Sequence, residues 1–344
     1  MTQIPATMRA SVLRDVHDIA VEERPVPTPG PHEVLIRVTA VGTCGSDTHY
    51  YEHGRIGPFV VREPLVLGHE AGGVVVATGS EAQLHAPGDR VSIEPGVPCF
   101  VCAQCRAGRY NLCPDMRFYA TPPIDGAFCE YVTVHEQFAH RVPDSMSEDA
   151  AALCEPLSVG VWACRKGRVA PGSRVLITGA GPIGQVAAQT ARAFGASEVV
   201  VTDVAAHRLD LAAELAATST INVAETPLPE AGYEPDVLLE CSGVPAAAAE
   251  AVRTVGRAGR VVLVGMGGDE LALPLSHVQN FEIELTGTFR YANTWPTAIA
   301  LASNGEVALD RLVTHHFGLD EVPAALTAGS RDPHAVKPVV LPQK

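Results

Sequence analysis

Between Arg9 and Gly96 the apolar residues come in short runs: ASVL at 10–13, VLIRVTAVG at 34–42, AGGVVVATG at 71–79 and GDRVSI at 88–93. Each is bounded by Pro, Gly or polar residues and is too short for a helix of ordinary length, so the pattern predicts the strands of a small, twisted β-domain. The prolines at 25, 27, 29 and 31 read as a loop. Near residue 145 the character changes to a helix-forming stretch, SEDAAALCEPLSVGVWACRKG, with Ser147 and Glu148 at a plausible helix start. From 174 the pattern alternates. RVLIT is a buried-strand run, a glycine turn and the small-residue helix QVAAQTARAFGA follow, and EVVVTD is a second strand. DVLLECSG and GRVVLVGMGG continue the alternation through 289, which predicts a doubly wound parallel sheet with helices on both faces. The tail after 289 is mixed and is expected to pack back on the first domain. The domains are therefore drawn as 1–155 with 290–344, and 156–289.

Composition narrows the function classes. A chain of 344 residues exceeds what one core commonly supports, in agreement with two domains. Its net charge of −14 repels phosphate backbones and anionic membrane surfaces, and no basic run interrupts it, so neither nucleic acid nor membrane is expected as a partner. The N-terminal stretch MTQIPATMRASVLRDVHD lacks the apolar segment of a secretion signal, and nothing later has the length of a membrane-spanning helix. Four of the nine cysteines crowd between Cys99 and Cys113, which reads as metal binding in a reducing, cytoplasmic setting rather than as disulfides.

The chemistry is densest from Gly42 to Glu70, GTCGSDTHYYEHGRIGPFVVREPLVLGHE. A thiol, a hydroxyl, imidazoles and carboxylates around glycine turns are the repertoire of a zinc site, with Cys44 and His69 as the central pair and Glu70 beside them. A catalytic zinc keeps one position open for water or substrate. Glu155 lies inside an apolar run, where a carboxylate is costly unless it is paired or faces a metal. The bland alternative is that it turns the chain ahead of Pro156. Cys99, Cys102, Cys105 and Cys113 have the spacing that closes a tetrahedron around a second, structural zinc. Cys129, Cys154, Cys164 and Cys241 sit among apolar neighbours and read as core.

The second signal is GAGPIG. Gly179, Gly181 and Gly184 match the GxGxxG spacing of a dinucleotide fold, and Pro182 suits a first helical turn whose amides would bind a pyrophosphate. Asp203 closes the next strand, where a carboxylate can accept from the ribose hydroxyls of NAD and repel the extra phosphate of NADP.

With GTCGSDTHYYEHGRIG, PLVLGHEAGG, CEPLSVG, GAGPIG, VVVTD and FRYANTWP in order, the chain resembles the zinc-containing medium-chain dehydrogenases over essentially its full length, most closely the sorbitol (L-iditol) and xylitol dehydrogenase branch. The resemblance implies a GroES-like β-domain joined to a Rossmann domain, with a catalytic zinc held by Cys44, His69 and Glu70. It makes Glu155 either a direct ligand or a partner of the zinc-bound water. It places Tyr50, Phe118, Glu155, Arg290 and Tyr291 around a polyol, and Ile183, Asp203, Arg208, Val264, Gly265, Met266, Thr288, Phe289 and Arg290 near the dinucleotide. Mammalian members of the branch lack the clustered cysteines that this chain keeps, so two zinc ions per subunit are expected. The resemblance also suggests a homotetramer.

The implied reaction is oxidation of a secondary hydroxyl of a sugar alcohol to a ketose with NAD. Ser46, or water held by Glu155, would accept the proton, with His49 as an exit toward solvent. The nearest rival is a zinc dehydrogenase of the same fold acting on simple alcohols or on L-threonine. Tyr50, Glu155 and Arg290 favour a substrate with several hydroxyls. A rival of another class, a catalytically silent NAD-binding protein on this scaffold, would be marked by lost zinc ligands, and none is lost.

Overall fold

The structure is a computed structural model describing residues 4–268 and 270–344. It forms two compact units, one made of residues up to Glu155 together with Leu309–Lys344, the other of Pro156–Ala308. The chain thus returns to the first unit later than the 289/290 boundary drawn from the sequence. The reason lies in what 290–308 touch. Arg165 donates to the Asn293 carbonyl at 2.7 Å and to Thr297 Oγ1 at 2.8 Å, and the Ala308 amide donates to Gln189 Oε1 at 2.7 Å. Between these ties the helix Trp295–Ser303 buries Trp295, Ala298 and Leu301.

In the first unit the strand Glu33–Gly42 organises a seven-stranded sheet. It pairs antiparallel with Glu70–Thr78, Tyr131–His135 and Lys337–Val340. Its β-branched side chains pack with Val75, Val91, Ile93 and Phe128 in one core. The registers Gly42↔Glu70 and Val339↔Gly42 bring three distant pieces of sequence to one end of the sheet. The long helix Glu148–Gly167 begins as the sequence suggested, with Ser147 Oγ accepting from the Ala150 amide at 2.9 Å. It runs on through Pro156, so Glu155 is a helical residue and not a turn.

The second unit holds a six-stranded parallel sheet, in the spatial order Ser219–Asn222, Glu198–Asp203, Arg174–Thr178, Val237–Glu240, Arg260–Leu263, Glu284–Gly287. The central strands are apolar along their length because both faces are covered. The order reverses at Arg174–Thr178, and ligands of such sheets bind beyond the carboxyl ends of the strands at that reversal.

Candidate active site

Cys44 ends the turn after Glu33–Gly42 and precedes the helix Gly45–His53. The helix start is fixed by Asp47, whose side chain is fully buried. One of its oxygens accepts from the Cys44 amide at 3.1 Å, and the other from the Gly68 amide at 2.9 Å while standing 3.6 Å from His69 Nδ1. A single carboxylate thereby ties the segments that carry Cys44 and His69 together. Burial disfavours a charged His69 ring, but Asp47 and Cys44 outweigh it and hold the pKa well above the usual histidine value. The same anionic surroundings favour any cation bound in the proton's place.

Glu70 is 1% exposed, and its Oε1 accepts from Lys337 Nζ at 2.7 Å. Lys337, itself 3% exposed, also donates to the Thr43 carbonyl at 2.8 Å. Burial works against its charge, yet Glu70, with Cys44 and Glu155 further off, keeps the pKa above the usual lysine value. The other Glu70 oxygen, Oε2, is buried without a hydrogen-bond partner. Ligand atoms of Cys44, His69 and Glu70 all lie within 4.8 Å of one another. A thiol, an imidazole and a carboxylate so grouped, one of them with an unused buried oxygen, fit a zinc ion with an open position.

Glu155 is buried but stands outside that trio. Phe118 is also buried, its ring 5.7 Å from that of His69. On the helix Gly45–His53, Tyr50 is buried, Ser46 half-buried and His49 exposed, with the His49 ring 5.8 Å from that of His53. In the second unit Arg290 adopts a φ of 54° with its guanidinium 4.8 Å over the Phe289 ring, and Tyr291 is buried edge-on to Trp295 at 5.0 Å.

Cys99, Cys102, Cys105 and Cys113 form a second group with ligand atoms within 4.8 Å of one another. The Cys102 and Cys105 sulfurs are 3.4 Å apart and those of Cys99 and Cys105 4.0 Å. A tetrahedron with Zn–S bonds of about 2.3 Å has edges of roughly 3.8 Å, so these spacings suit a closed structural site. The amides of Val101 and Cys102 help bring the Cys99 thiol down to about 7, while desolvation pushes Cys105 up to about 12.

In the second unit Gly179 has φ 83°, and a Cβ on Gly184 would lie 1.8 Å from the Gly179 carbonyl oxygen. Gly181 precedes the helix Pro182–Ala193 with open space where a Cβ would stand, and Ile183 in its first turn is half-buried. Asp203 accepts from the amides of Ala180 at 2.7 Å, Val204 at 2.8 Å and Ala205 at 2.9 Å, which fixes its carboxylate beside the glycine turn. Arg208 lies in the following helix, its backbone oxygen accepting from Gln185. The amides of Val264 and Gly265 both donate to the Glu240 carbonyl at 2.8 Å, Met266 is exposed, and Thr288 donates to the Leu263 carbonyl from its amide at 2.9 Å.

Comparison with known proteins agrees with this geometry. Residues 30–144 match the alcohol dehydrogenase GroES-like domain, and residues 182–304 match the zinc-binding dehydrogenase family. A sorbitol dehydrogenase of Mus musculus is 45% identical, with 91% of this chain and 90% of that protein covered. One from Bacillus subtilis is 43% identical over 94% of each. The chain belongs to the zinc-dependent medium-chain dehydrogenases. Among solved structures of the family, an Escherichia coli oxidoreductase of unknown specificity superposes with a TM-score of 0.93 at 35% identity, covering 97% of this dehydrogenase and 99% of that chain.

Three residues of the dehydrogenase escaped the sequence reading. Asp47 carried a signal, since an acidic residue three places after Cys44 is a helix-capping position. Lys337 carried none: it lies 267 positions from Glu70 in an ordinary strand. Glu240 is buried at its strand end and accepts from the amides of Ser242 at 2.9 Å and Gly243 at 3.1 Å, shaping a second turn beside Gly179.

Proposed function

We propose that this dehydrogenase oxidises a secondary hydroxyl of a sugar alcohol of the sorbitol, xylitol or L-iditol type to the ketose, with the hydride passed to NAD. The observation that carries this reading is the grouping of Cys44, His69 and Glu70 within 4.8 Å of one another, in a chain whose animal and bacterial relatives are sorbitol dehydrogenases. Zinc held by these three residues would supply a Lewis acid that lowers the pKa of the reacting hydroxyl.

The chain's own residues do the rest. Asp47 orients His69, and Lys337 presents Glu70 through one oxygen and leaves the other for the ion. Glu155 acts through a hydrogen bond rather than as a ligand, which fits its place outside the trio. Ser46, or water held by Glu155, takes the proton, and His49 on the exposed face passes it to solvent. Tyr50, Phe118, Arg290 and Tyr291 complete the polyol's surroundings. Gly179, Gly181, Pro182, Ile183 and Gly184 receive the pyrophosphate. Arg208, Val264, Gly265, Met266, Thr288, Phe289 and Arg290 flank the rest of the dinucleotide, and Asp203, preset by three amides, selects NAD over NADP.

Steady-state kinetics over sorbitol, xylitol, ribitol, arabitol, L-threonine and ethanol tests the proposal. The expected result is the highest kcat/KM with a polyol and NAD. Activity confined to ethanol or to threonine would reject it, and equal efficiency with NADP would reject the role of Asp203. A homotetramer in the reducing cytoplasm, as the likeness to the polyol dehydrogenases implies, completes the reading, and all nine cysteines are free. Among the described residues no helix is long and apolar enough to cross a membrane.

A further inference from the structure

Glu94 follows the strand Arg90–Ile93, is buried, and has both carboxylate oxygens engaged. Oε1 accepts from the Tyr110 hydroxyl at 2.7 Å, and Oε2 lies 3.0 Å from His140 Nε2. Tyr110 belongs to the four-cysteine lobe, three positions before Cys113, and packs edge-on to Phe138 at 5.9 Å. The Glu94 amide in turn donates to the Phe138 carbonyl at 2.8 Å. A buried carboxylate is an expensive way to anchor a loop that apolar packing could hold. Its partners fix direction as well as contact, so Glu94 sets where the lobe sits against the sheet.

The two residues after Glu94 lead to the substrate side. The Pro95 carbonyl accepts from the Tyr119 amide at 3.0 Å, and Gly96 pairs with Phe118. A Cβ on Gly96 would stand 2.9 Å from the Phe118 ring, so the missing side chain is what lets that ring close down. The Phe118 ring also lies beside that of His69, with centroids 5.7 Å apart. An unbroken run of contacts therefore leads from the four-cysteine lobe to the ring beside a proposed zinc ligand: Tyr110, Glu94, Gly96, Phe118, His69.

We propose that Glu94 and Tyr110 are positioning residues that latch the four-cysteine lobe to the Phe118 wall, so that the structural site sets the fit of the polyol and the shielding of His69. The inference rests on the zinc sites and on the substrate role proposed for Phe118.

The test uses holoenzyme with two zinc ions per chain, as wild type, Tyr110→Phe, Phe118→Leu and the double variant. Tyr110→Phe removes one hydroxyl and keeps the ring, so the fold is retained. Its polyol KM is expected to rise about fivefold, with kcat and the NAD KM within twofold, since a substrate wall contributes binding shared by ground state and transition state. In the double variant the rise should not exceed that of Phe118→Leu alone. A second readout is the rate at which dipicolinate strips zinc, with the lobe's phase assigned from Cys44→Ser, which is expected to hold only the lobe ion. The latch predicts that Tyr110→Phe speeds loss of the catalytic ion as well, again about fivefold. An unchanged polyol KM, independent effects of the two substitutions, or faster loss from the lobe alone would overturn it. If wild type oxidises no polyol, the proposed substrate fails, and the stripping rates still decide the latch.

Discussion

Lys337 Nζ lies 2.7 Å from Glu70 Oε1, and both side chains are buried. The pair joins the strand Lys337–Val340 to the strand that begins with a proposed zinc ligand. Removing the lysine leaves a buried carboxylate without its counter-charge, which commonly costs ~3–5 kcal/mol. Lys337→Met is therefore expected to lower Tm by several degrees in zinc-stripped protein and to weaken zinc binding at least tenfold. Combining it with Glu70→Gln should restore much of the stability and none of the metal affinity. Unchanged zinc affinity in Lys337→Met would show that the ammonium does not present Glu70.

The glycines of the nucleotide turn should separate folding from binding. Gly184→Ala drives a Cβ against the Gly179 carbonyl and is expected to distort the turn, with a lower Tm and loss of NAD binding. Gly181→Ala meets open space at a φ of −69° that alanine adopts freely. Its Tm should stay within about 2 °C, because surface changes away from such features cost little. The NAD Kd should still rise at least tenfold if the pyrophosphate approaches that backbone. Calorimetry of NAD binding beside thermal melts checks both, and an unaltered Kd in Gly181→Ala would move the pyrophosphate elsewhere.

Glu136 gives a pH-dependent prediction that involves no proposed metal ligand. Its Oε2 accepts from the Gln83 amide at 2.6 Å and the Leu84 amide at 2.7 Å. Burial favours the neutral acid, but the two amides outweigh it and lower the pKa. A lowered carboxylate pKa adds stability above the unfolded value of about 4.3, and that stability is lost as pH falls through the folded value. Glu136→Gln should thus destabilise by ~1–3 kcal/mol near neutrality, with the gap to wild type closing as pH falls from the unfolded value through the lower folded one. A gap that stays constant across a pH series of melting temperatures would contradict this.

Much of this was legible in the chain. The apolar runs foretold the strands Glu33–Gly42, Glu70–Thr78, Arg90–Ile93 and the parallel sheet, because buried strands and glycine turns are written locally. The grouping of Cys44 with His69, proposed here as zinc ligands, was legible because few other uses explain a thiol and an imidazole among tight turns. Lys337 was hidden because sheet pairing, not sequence proximity, brings it to Glu70. The late return of the chain at Leu309 was hidden for a like reason: Arg165 and Gln189 hold 293–308 through three long-range hydrogen bonds that no periodicity records. Glu155 sat beside a proline that usually stops a helix, and only the structure shows the helix continuing.

The account stands on Cys44, His69 and Glu70 sharing one zinc ion, with the four clustered cysteines holding another. Metal analysis of purified wild type, Cys44→Ser and Cys99→Ser puts this most directly. Two zinc ions per chain in wild type and one in each variant, with polyol oxidation abolished only in Cys44→Ser, is the predicted result; undiminished zinc in Cys44→Ser would contradict it.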